Sequence, residues 1–254
     1  MLKTRIMPCL LLKDGALVKT VKFKNPGYIG DPINAIRIYN EKEVDELIFL
    51  DITATIENRP PPYKILSEIA SECFMPVTYG GGVRDVEAIH QVLSLGIEKV
   101  AINSYAVENQ DFVRVAADKY GSSTIVVSMD VRRKPFGKYE IFIRGGRKGA
   151  GLDPVEFAVK MEKMGAGEIL LNSIDRDGTQ EGYDIELIRS VTRAVGVPVI
   201  ACGGVGKIED FRDAVKDGGA SACAAGSMVV YFGRNRAVLI NFPERKKLES
   251  LLGE

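Results

Sequence analysis

The chain reads Pro76-Val77-Thr78-Tyr79-Gly80-Gly81-Gly82-Val83, and 122 positions later it reads Pro198-Val199-Ile200-Ala201-Cys202-Gly203-Gly204-Val205. This repeat decides the fold. Glu46, just before an apolar run, recurs as Glu168 at the same spacing of 122. Each half therefore contains an apolar strand that ends in glycines, whose backbone N–H groups can face an anion. Two such halves in register predict a barrel that arose by duplication and binds a ligand with two phosphates.

Short apolar runs alternate with amphipathic stretches along the chain, and this alternation is typical of parallel strands joined by helices. The predicted strands are 6–12, 47–52, 77–79, 100–103, 124–130, 169–173, 199–202 and 222–225. Predicted helices include 61–73, 86–95, 154–164, 185–194 and 208–216. Eight units in 254 residues predict a single (β/α)8 TIM barrel domain over residues 1–254. An open doubly wound sheet is the alternative, but the glycine clusters do not match GxGxxG before a helix.

The composition excludes several classes of function. Lys+Arg and Asp+Glu both number 34, so the basic excess of a nucleic-acid-binding protein is absent. No apolar run reaches membrane-span length, and no signal peptide is recognised, which predicts a cytoplasmic protein. The four cysteines form no CxxC pair and are expected to be reduced, and three of them lie in buried-looking strands. His90 is the single histidine, so a His-rich metal site is impossible, and we expect no metal or cofactor.

Two long connections follow strand ends, where the active sites of barrels lie. Residues 13–34 form a long loop rich in Lys, Gly and Pro after strand 1. Residues 132–152 follow strand 5, and their alternating segment 139–143 predicts a hairpin. Long connections at this end are expected to act as lids. The tail 244–254 is predicted to be a charged helix.

Small and polar residues follow several predicted strands and form two candidate phosphate cradles. The first cradle comprises Gly81, Gly82, Asn103 and Ser104. The second cradle comprises Gly203, Gly204, Gly226 and Ser227, together with Asp177 and Gly178 after strand 6. The alternative is that the glycines only make tight turns and that the aspartate orients hydroxyls or holds a loop.

Asp130 closes the apolar strand 5 and would reach the mouth of the barrel, so it is a candidate general acid or base. The alternative is a carboxylate that orders a loop or caps a helix. Asp51, which ends strand 2, is interpreted either as orienting hydroxyls of a ligand or as holding a loop, and the sequence does not rank the two.

Four charged residues stand immediately before apolar runs at the opposite ends of the strands. They are Arg5, Glu46, Lys99 and Glu168. This pattern predicts two cations and two anions at the bottom of the barrel. The spacing alone favours a salt-bridge network that closes the core.

Four stretches together resemble the cyclase subunit of imidazole glycerol phosphate synthase: residues 49–54, 80–82, 166–171 and 173–179. The resemblance covers the whole chain. It implies a barrel that binds a substrate with a phosphate at each end, and a glutaminase subunit docked at the bottom. Ammonia would pass a gate of four charged residues and the barrel interior before cyclisation at the mouth.

The resemblance also assigns roles to single residues. Arg5, Glu46, Lys99 and Glu168 match the ammonia gate, which favours a gate over a purely structural network. Glu98 falls at the partner interface, and Lys19 matches the mobile catalytic lysine of the first loop. Asp130 matches one of two catalytic aspartates, but Leu11 occupies the position of the other. Strand 8 also carries one extra residue before Ser227.

The chain keeps all four gate residues but only one of the two catalytic aspartates. In this combination, and in residues 10–13 and 20–26, it resembles a paralogous branch of the family that acts in surface-polysaccharide biosynthesis. Those proteins work with a glutaminase-like partner and a sugar amidotransferase to install acetamidino groups on nucleotide-linked sugars of lipopolysaccharide. This ammonia-delivering role is the first hypothesis. A working cyclase of histidine biosynthesis is the second, and a catalytically silent scaffold that activates a glutaminase is the third. Leu11 argues against the second, because leucine cannot transfer a proton.

Overall fold

Eight parallel strands form the centre of the computed structural model, which describes residues 3–233 and 235–253. They are β1 (Arg5–Lys13), β2 (Leu47–Asp51), β3 (Val77–Gly80), β4 (Lys99–Ile102), β5 (Ile125–Arg133), β6 (Glu168–Ser173), β7 (Val199–Cys202) and β8 (Ala222–Ala225). Each strand pairs in parallel with the next, and β8 pairs with β1, so the barrel closes. The predicted (β/α)8 barrel is confirmed, and the open sheet is wrong.

Helices connect the strands on the outside of the barrel. They are α1 (Pro32–Glu41), α2 (Tyr63–Glu72), α3 (Val86–Ser94), α4 (Ser104–Glu108), α5 (Asp111–Tyr120), α6 (Pro154–Lys163), α7 (Ile185–Thr192), α8 (Glu209–Arg212) and α9 (Arg245–Leu252). Four of them begin after an aspartate whose carboxylate accepts backbone N–H groups of the first turn, as N-caps do: Asp31, Asp85, Asp153 and Asp184. The predicted helix 208–216 divides into α8 and a π-helical turn, Asp213–Asp217. No described helix is long and apolar enough to cross a membrane.

The core has two apolar layers, because successive side chains of a strand point to opposite sides. The outer layer fills the space between strands and helices and includes Tyr39, Phe49, Tyr79 and Phe211. The inner layer fills the barrel. It consists of Met7, Cys9, Ile48, Leu50, Ala101, Val126, Leu170, Ile200, Cys202, Ala222 and Ala224.

Antiparallel hairpins rise from the carboxyl ends of three barrel strands, β1, β5 and β8, around the mouth of the barrel. The first hairpin pairs Ala16–Val21 with Lys24–Gly30, where the composition of the sequence suggests only a long loop. Its two-residue turns, 14–15 and 22–23, have positive φ at both residues, as type I′ turns require. The second hairpin pairs β5 with Tyr139–Ile143, in agreement with the predicted hairpin. The third hairpin pairs Tyr231–Phe232 with Ala237–Val238, which the sequence did not predict.

Candidate functional site

Four charged side chains form a closed ring at the amino-terminal end of the barrel, and we call it the bottom ring. Arg5 donates to Glu46 Oε2 and to Glu168 Oε1, each at 2.7 Å. Lys99 Nζ lies 3.0 Å from Glu46 Oε1 and 3.3 Å from both oxygens of Glu168. Thr78 adds a hydrogen bond to Glu46 at 3.0 Å. The sequence therefore identified all four members, and their role as an ammonia gate stays a prediction.

The bottom ring is electrically neutral and partly buried. The side chains of Glu46 and Glu168 are 3% and 11% exposed, and those of Arg5 and Lys99 are 27% and 16% exposed. Burial lowers the pKa of Arg5, but the two glutamates outweigh it and leave that pKa above its ordinary value. Directly beyond the ring, the inner apolar layer leads towards the mouth.

The glycines of the two cradles occupy equivalent positions in the two halves of the barrel. A Cβ on Gly81 would lie 2.7 Å from the carbonyl oxygen of Asp51, and a Cβ on Gly203 would lie 2.7 Å from that of Ser173. Asn103 and Gly226 also share an unusual backbone, with φ/ψ of −110°/−89° and −108°/−86°. The duplication seen in the sequence is therefore reproduced in the geometry of the mouth.

The serines of the two cradles have different partners. Ser104 donates to Asn103 Oδ1 at 3.0 Å and accepts the Arg144 N–H at 2.9 Å. Ser227 accepts a hydrogen bond from Arg236 Nη2 at 3.3 Å. The hydroxyl of the first cradle thus both donates and accepts, whereas that of the second accepts a hydrogen bond and donates none among the described residues.

Asp130 ends the apolar part of β5 and is half-buried at the mouth. Its carboxylate accepts long hydrogen bonds from Asn103 Nδ2 at 3.3 Å and from Asn172 Nδ2 at 3.4 Å. Burial, with a smaller contribution from the charge of Asp177, raises the pKa of Asp130 from 3.8 to about 7. A carboxyl with that pKa can act either as an acid or as a base near neutral pH.

Leu11 and Lys19 complete the mouth on the side of β1. Leu11 has the same inward orientation as Arg5, because even spacing along a strand keeps side chains on one face. Strands β1 and β5 are four positions apart in the barrel, so Leu11 and Asp130 lie on opposite sides of the mouth. Lys19, on the first hairpin, is 6% exposed. Its ammonium group lies against Gly226, where a Cβ would overlap it.

The other aspartates of the mouth hold loops. Asp177 Oδ2 accepts the Thr20 hydroxyl at 2.8 Å and the Phe23 N–H at 3.4 Å, which fastens the first hairpin over the mouth. Asp51 binds both terminal nitrogens of Arg59 and orders the loop after β2. Of the two interpretations open for Asp51, loop ordering fits its contacts, and the assignment of Asp177 to phosphate stays a prediction.

Sequence reasoning missed two polar features near the mouth. Asn172 is 5% exposed, and its Oδ1 is buried without a hydrogen-bond partner among the described residues. Cys9 and Cys202 face each other inside the barrel, and the hydrogen bond from Cys202 holds the pKa of the Cys9 thiol below its ordinary value of 9, against the effect of burial. The inward position of these three residues follows from the alternation of side chains along β1, β6 and β7, so the predicted strands already contained the signal.

In residues 3–233 and 235–253, no group of three or more His, Cys, Asp and Glu side chains could hold a metal ion.

Comparisons with known proteins agree with the fold and identify the family. Residues 5–235 match the family described as "Histidine biosynthesis protein". A protein of Pseudomonas aeruginosa, provisionally named subunit hisF2 of imidazole glycerol phosphate synthase, is 51% identical over 249 residues, which are 98% of this chain and 99% of that protein. A provisionally named HisF subunit of Leptospira interrogans is 44% identical over 252 residues, 99% of each chain.

A third relative, provisionally named subunit hisF3 in Vibrio vulnificus, is 43% identical over 251 residues, which are 97% of this chain and 96% of the relative. The family match spans most of the chain, and the identities extend over nearly all of it. The chain therefore belongs to the histidine biosynthesis protein family, among relatives named as the HisF subunit of imidazole glycerol phosphate synthase.

Proposed function

We propose that this chain is the barrel subunit of a glutamine amidotransferase complex. Ammonia released by a glutaminase subunit enters at the bottom ring, crosses the barrel interior and reacts at the mouth with a phosphorylated small molecule. The observation that carries this proposal is the closed bottom ring, in which Arg5 and Lys99 each contact both Glu46 and Glu168.

The energetics of the bottom ring favour a gate for ammonia over a purely structural closure of the barrel. Partly burying four charges costs desolvation energy, and apolar side chains of similar volume commonly close a core at equal or greater stability. The ring nevertheless places polar groups on the barrel axis, directly below an interior whose side chains are apolar. Lys99 is the residue that would move to open the gate, because its longest contacts with the two glutamates are 3.3 Å, whereas those of Arg5 are 2.7 Å.

The face around the bottom ring offers a surface for a partner. Glu98 is exposed beside Lys99. Phe74, which precedes β3, is 87% exposed at the same end of the barrel, and aromatic side chains are enriched at protein interfaces. The names of the relatives describe them as subunits of a synthase, and a glutaminase fits the position that the ring would serve.

For the use of this ammonia, we propose acetamidino modification of nucleotide-linked sugars, with a sugar amidotransferase as a further partner. Leu11 supports this branch, because the cyclase chemistry uses a carboxylate at each side of the mouth. The numbered names hisF2 and hisF3 of two relatives fit gene copies beyond the first. The names themselves favour a second candidate, a working cyclase of histidine biosynthesis.

An ammonia-dependent cyclase assay on the purified chain separates these candidates. With the bis-phosphate substrate and an ammonium salt, we expect turnover at least about 100-fold below that of a family member with both aspartates, since one general acid or base contributes roughly 10²–10⁴-fold. Leu11→Asp should restore part of the activity, and Leu11→Asn, its uncharged match, should not. Full turnover by the natural chain would establish the cyclase instead.

The gate is tested with the glutaminase partner present. Lys99→Met should reduce glutamine-dependent transfer while ammonia-dependent transfer is retained, because added ammonia does not have to cross the ring. Lys119→Met removes a lysine at the end of α5 and should change neither rate. Equal loss with both nitrogen sources would indicate a purely structural ring.

A further inference from the structure

The two cradles differ in charge, and an arginine outside the barrel strands contributes to the difference. Arg236 lies in the turn of the third hairpin. Its Nη2 donates to the carbonyl oxygen of Gly178 at 3.0 Å and to Ser227 Oγ at 3.3 Å. The guanidinium also stacks on Tyr231, 4.8 Å from the ring centroid. Arg236 forms no ion pair with any carboxylate in the described part of the chain, so its charge stays available at the second cradle.

An arginine also lies beside the first cradle, but its charge is neutralised. Arg144 and Arg236 both have a left-handed backbone, with φ of 56° and 51°. Only the backbone N–H of Arg144 contacts Ser104, at 2.9 Å. Its guanidinium binds Glu108 at 2.9 Å, away from the serine. Among the described residues, the arginine beside Ser104 is therefore paired with a carboxylate, whereas the arginine beside Ser227 contacts that serine with its guanidinium.

A second cation adds to the charge of the second cradle. The ammonium group of Lys19 lies against Gly226, the residue before Ser227. Lys19 likewise has no carboxylate partner within ion-pair distance among the described residues. The second cradle thus has two cations, a lysine on one side and an arginine on the other, against the single carboxylate of Asp177, which accepts from Thr20 and Phe23. Ser227 donates to no partner among the described residues, so its proton is available to a ligand.

We propose that Arg236 is a ligand-binding residue that makes the second cradle the tighter of the two phosphate sites and selects a doubly charged phosphomonoester there. Guanidinium groups bind phosphate oxygens through charge-assisted hydrogen bonds of fixed geometry. At the first cradle, by contrast, the arginine beside the serine is paired with Glu108 and adds no free charge. A ligand with two phosphates would then be oriented by the difference in charge. This inference rests on the proposed function, in that both require phosphate at the mouth.

The test is titration of the full chain with inorganic phosphate at pH 8, followed by calorimetry and by amide NMR shifts of Gly82 and Gly204, one from each cradle. In the natural chain we expect Gly204 to respond at lower phosphate concentration than Gly82. Arg236→Gln should weaken the Gly204 response by about tenfold or more, which is the loss of one charge-assisted contact. Arg236→Lys, which keeps the charge, should weaken it less.

Arg144→Gln is the matched control, because it removes one arginine with a left-handed backbone next to the other cradle. It should change neither response by more than about twofold. If Arg236→Gln folds and binds phosphate at Gly204 as tightly as the natural chain, the inference is wrong while the phosphate cradles stand. If the natural chain shows no response at either glycine in millimolar phosphate, the inference and the phosphate part of the proposed function both fail.

Discussion

Replacement of Asp130 by asparagine should stabilise the protein at pH 8 and leave its stability almost unchanged at pH 4. Burial and Asp177 together raise the pKa of Asp130 from 3.8 to about 7. Between those pH values the folded chain binds a proton that the unfolded chain does not, so the stability of the natural protein falls as the pH rises. The Asp130→Asn variant lacks this titration, because an amide does not ionise in that range.

The expected size follows from the pKa difference. One pKa unit corresponds to about 1.4 kcal/mol, so a rise from 3.8 to about 7 corresponds to about 4 kcal/mol at most. Because Asp130 is only half-buried, water at the mouth screens part of this free-energy difference. We therefore expect Asp130→Asn to raise the free energy of unfolding by about 2–3 kcal/mol above pH 8. The gain should shrink through pH 7 and vanish near pH 4.

The hydrogen bonds around Asp130 can accept the amide. Asn103 and Asn172 each donate to one carboxylate oxygen, and Asn172 Oδ1 is unpartnered among the described residues. Rotation of the Asn172 amide would turn that oxygen towards the new N–H group at position 130. The substitution therefore leaves no additional buried donor or acceptor without a partner.

Urea unfolding at several pH values between 4 and 8.5 measures the effect. Asp118→Asn, which removes one carboxylate at an exposed site on α5, is the control for the loss of a negative charge. A constant difference between Asp130→Asn and the natural protein across this range, or a less stable variant at pH 8, would refute the reasoning.

Three further predictions concern the ring, the first hairpin and the second cradle. Lys99→Met should lower the free energy of unfolding by roughly 3 kcal/mol, because it leaves two buried carboxylates with a single cation, and denaturant unfolding would show it. Thr20→Val removes the hydroxyl that Asp177 accepts, so hydrogen exchange of residues 16–30 should accelerate at a cost of about 1 kcal/mol; unchanged exchange would contradict this. Gly204 has a φ of 116°, and a Cβ there would overlap the carbonyl oxygen of Gly182, whereas a Cβ on Gly121 would meet open space. In thermal unfolding, Gly204→Ala should therefore lower the stability by about 2–3 kcal/mol more than Gly121→Ala does. Equal losses of stability would argue against a tightly packed cradle.

The barrel could be predicted because its signals are local and repeated. Each strand is a short apolar run, and the register of 122 positions ties the glycines of one half to those of the other. The same alternation placed Arg5 and Lys99 at one end of the strands. A residue's position in a strand determines which end of the barrel it lies at and whether its side chain faces inward. The positions of these two residues could therefore be predicted without knowledge of long-range contacts.

The first hairpin shows where the interpretation of the sequence was incomplete. Asp14-Gly15 is a strong two-residue hairpin signal, and it joins β1 to Ala16–Val21 with φ of 51° and 79°. The composition of residues 13–34, rich in Lys, Gly and Pro, suggested a loop instead. The third hairpin gave no comparable signal, because its strands of two residues are too short to show alternation.

The charges of the second cradle could not be predicted from the pattern of strands and helices, which gave no site to Arg236, and Lys19 was assigned to the mouth only through the family resemblance. Lys19 and Arg236 lie on hairpins that leave the barrel and return, so their head groups reach the second cradle from outside the periodic elements. The position of a long side chain depends on how its hairpin docks, and docking depends on contacts such as the one between Thr20 and Asp177. The barrel fixes two nearly equivalent cradles by duplication, and the hairpins then make them unequal. A symmetric scaffold with asymmetric charges can hold a ligand in one direction, which the proposed reaction with ammonia at one defined atom would require.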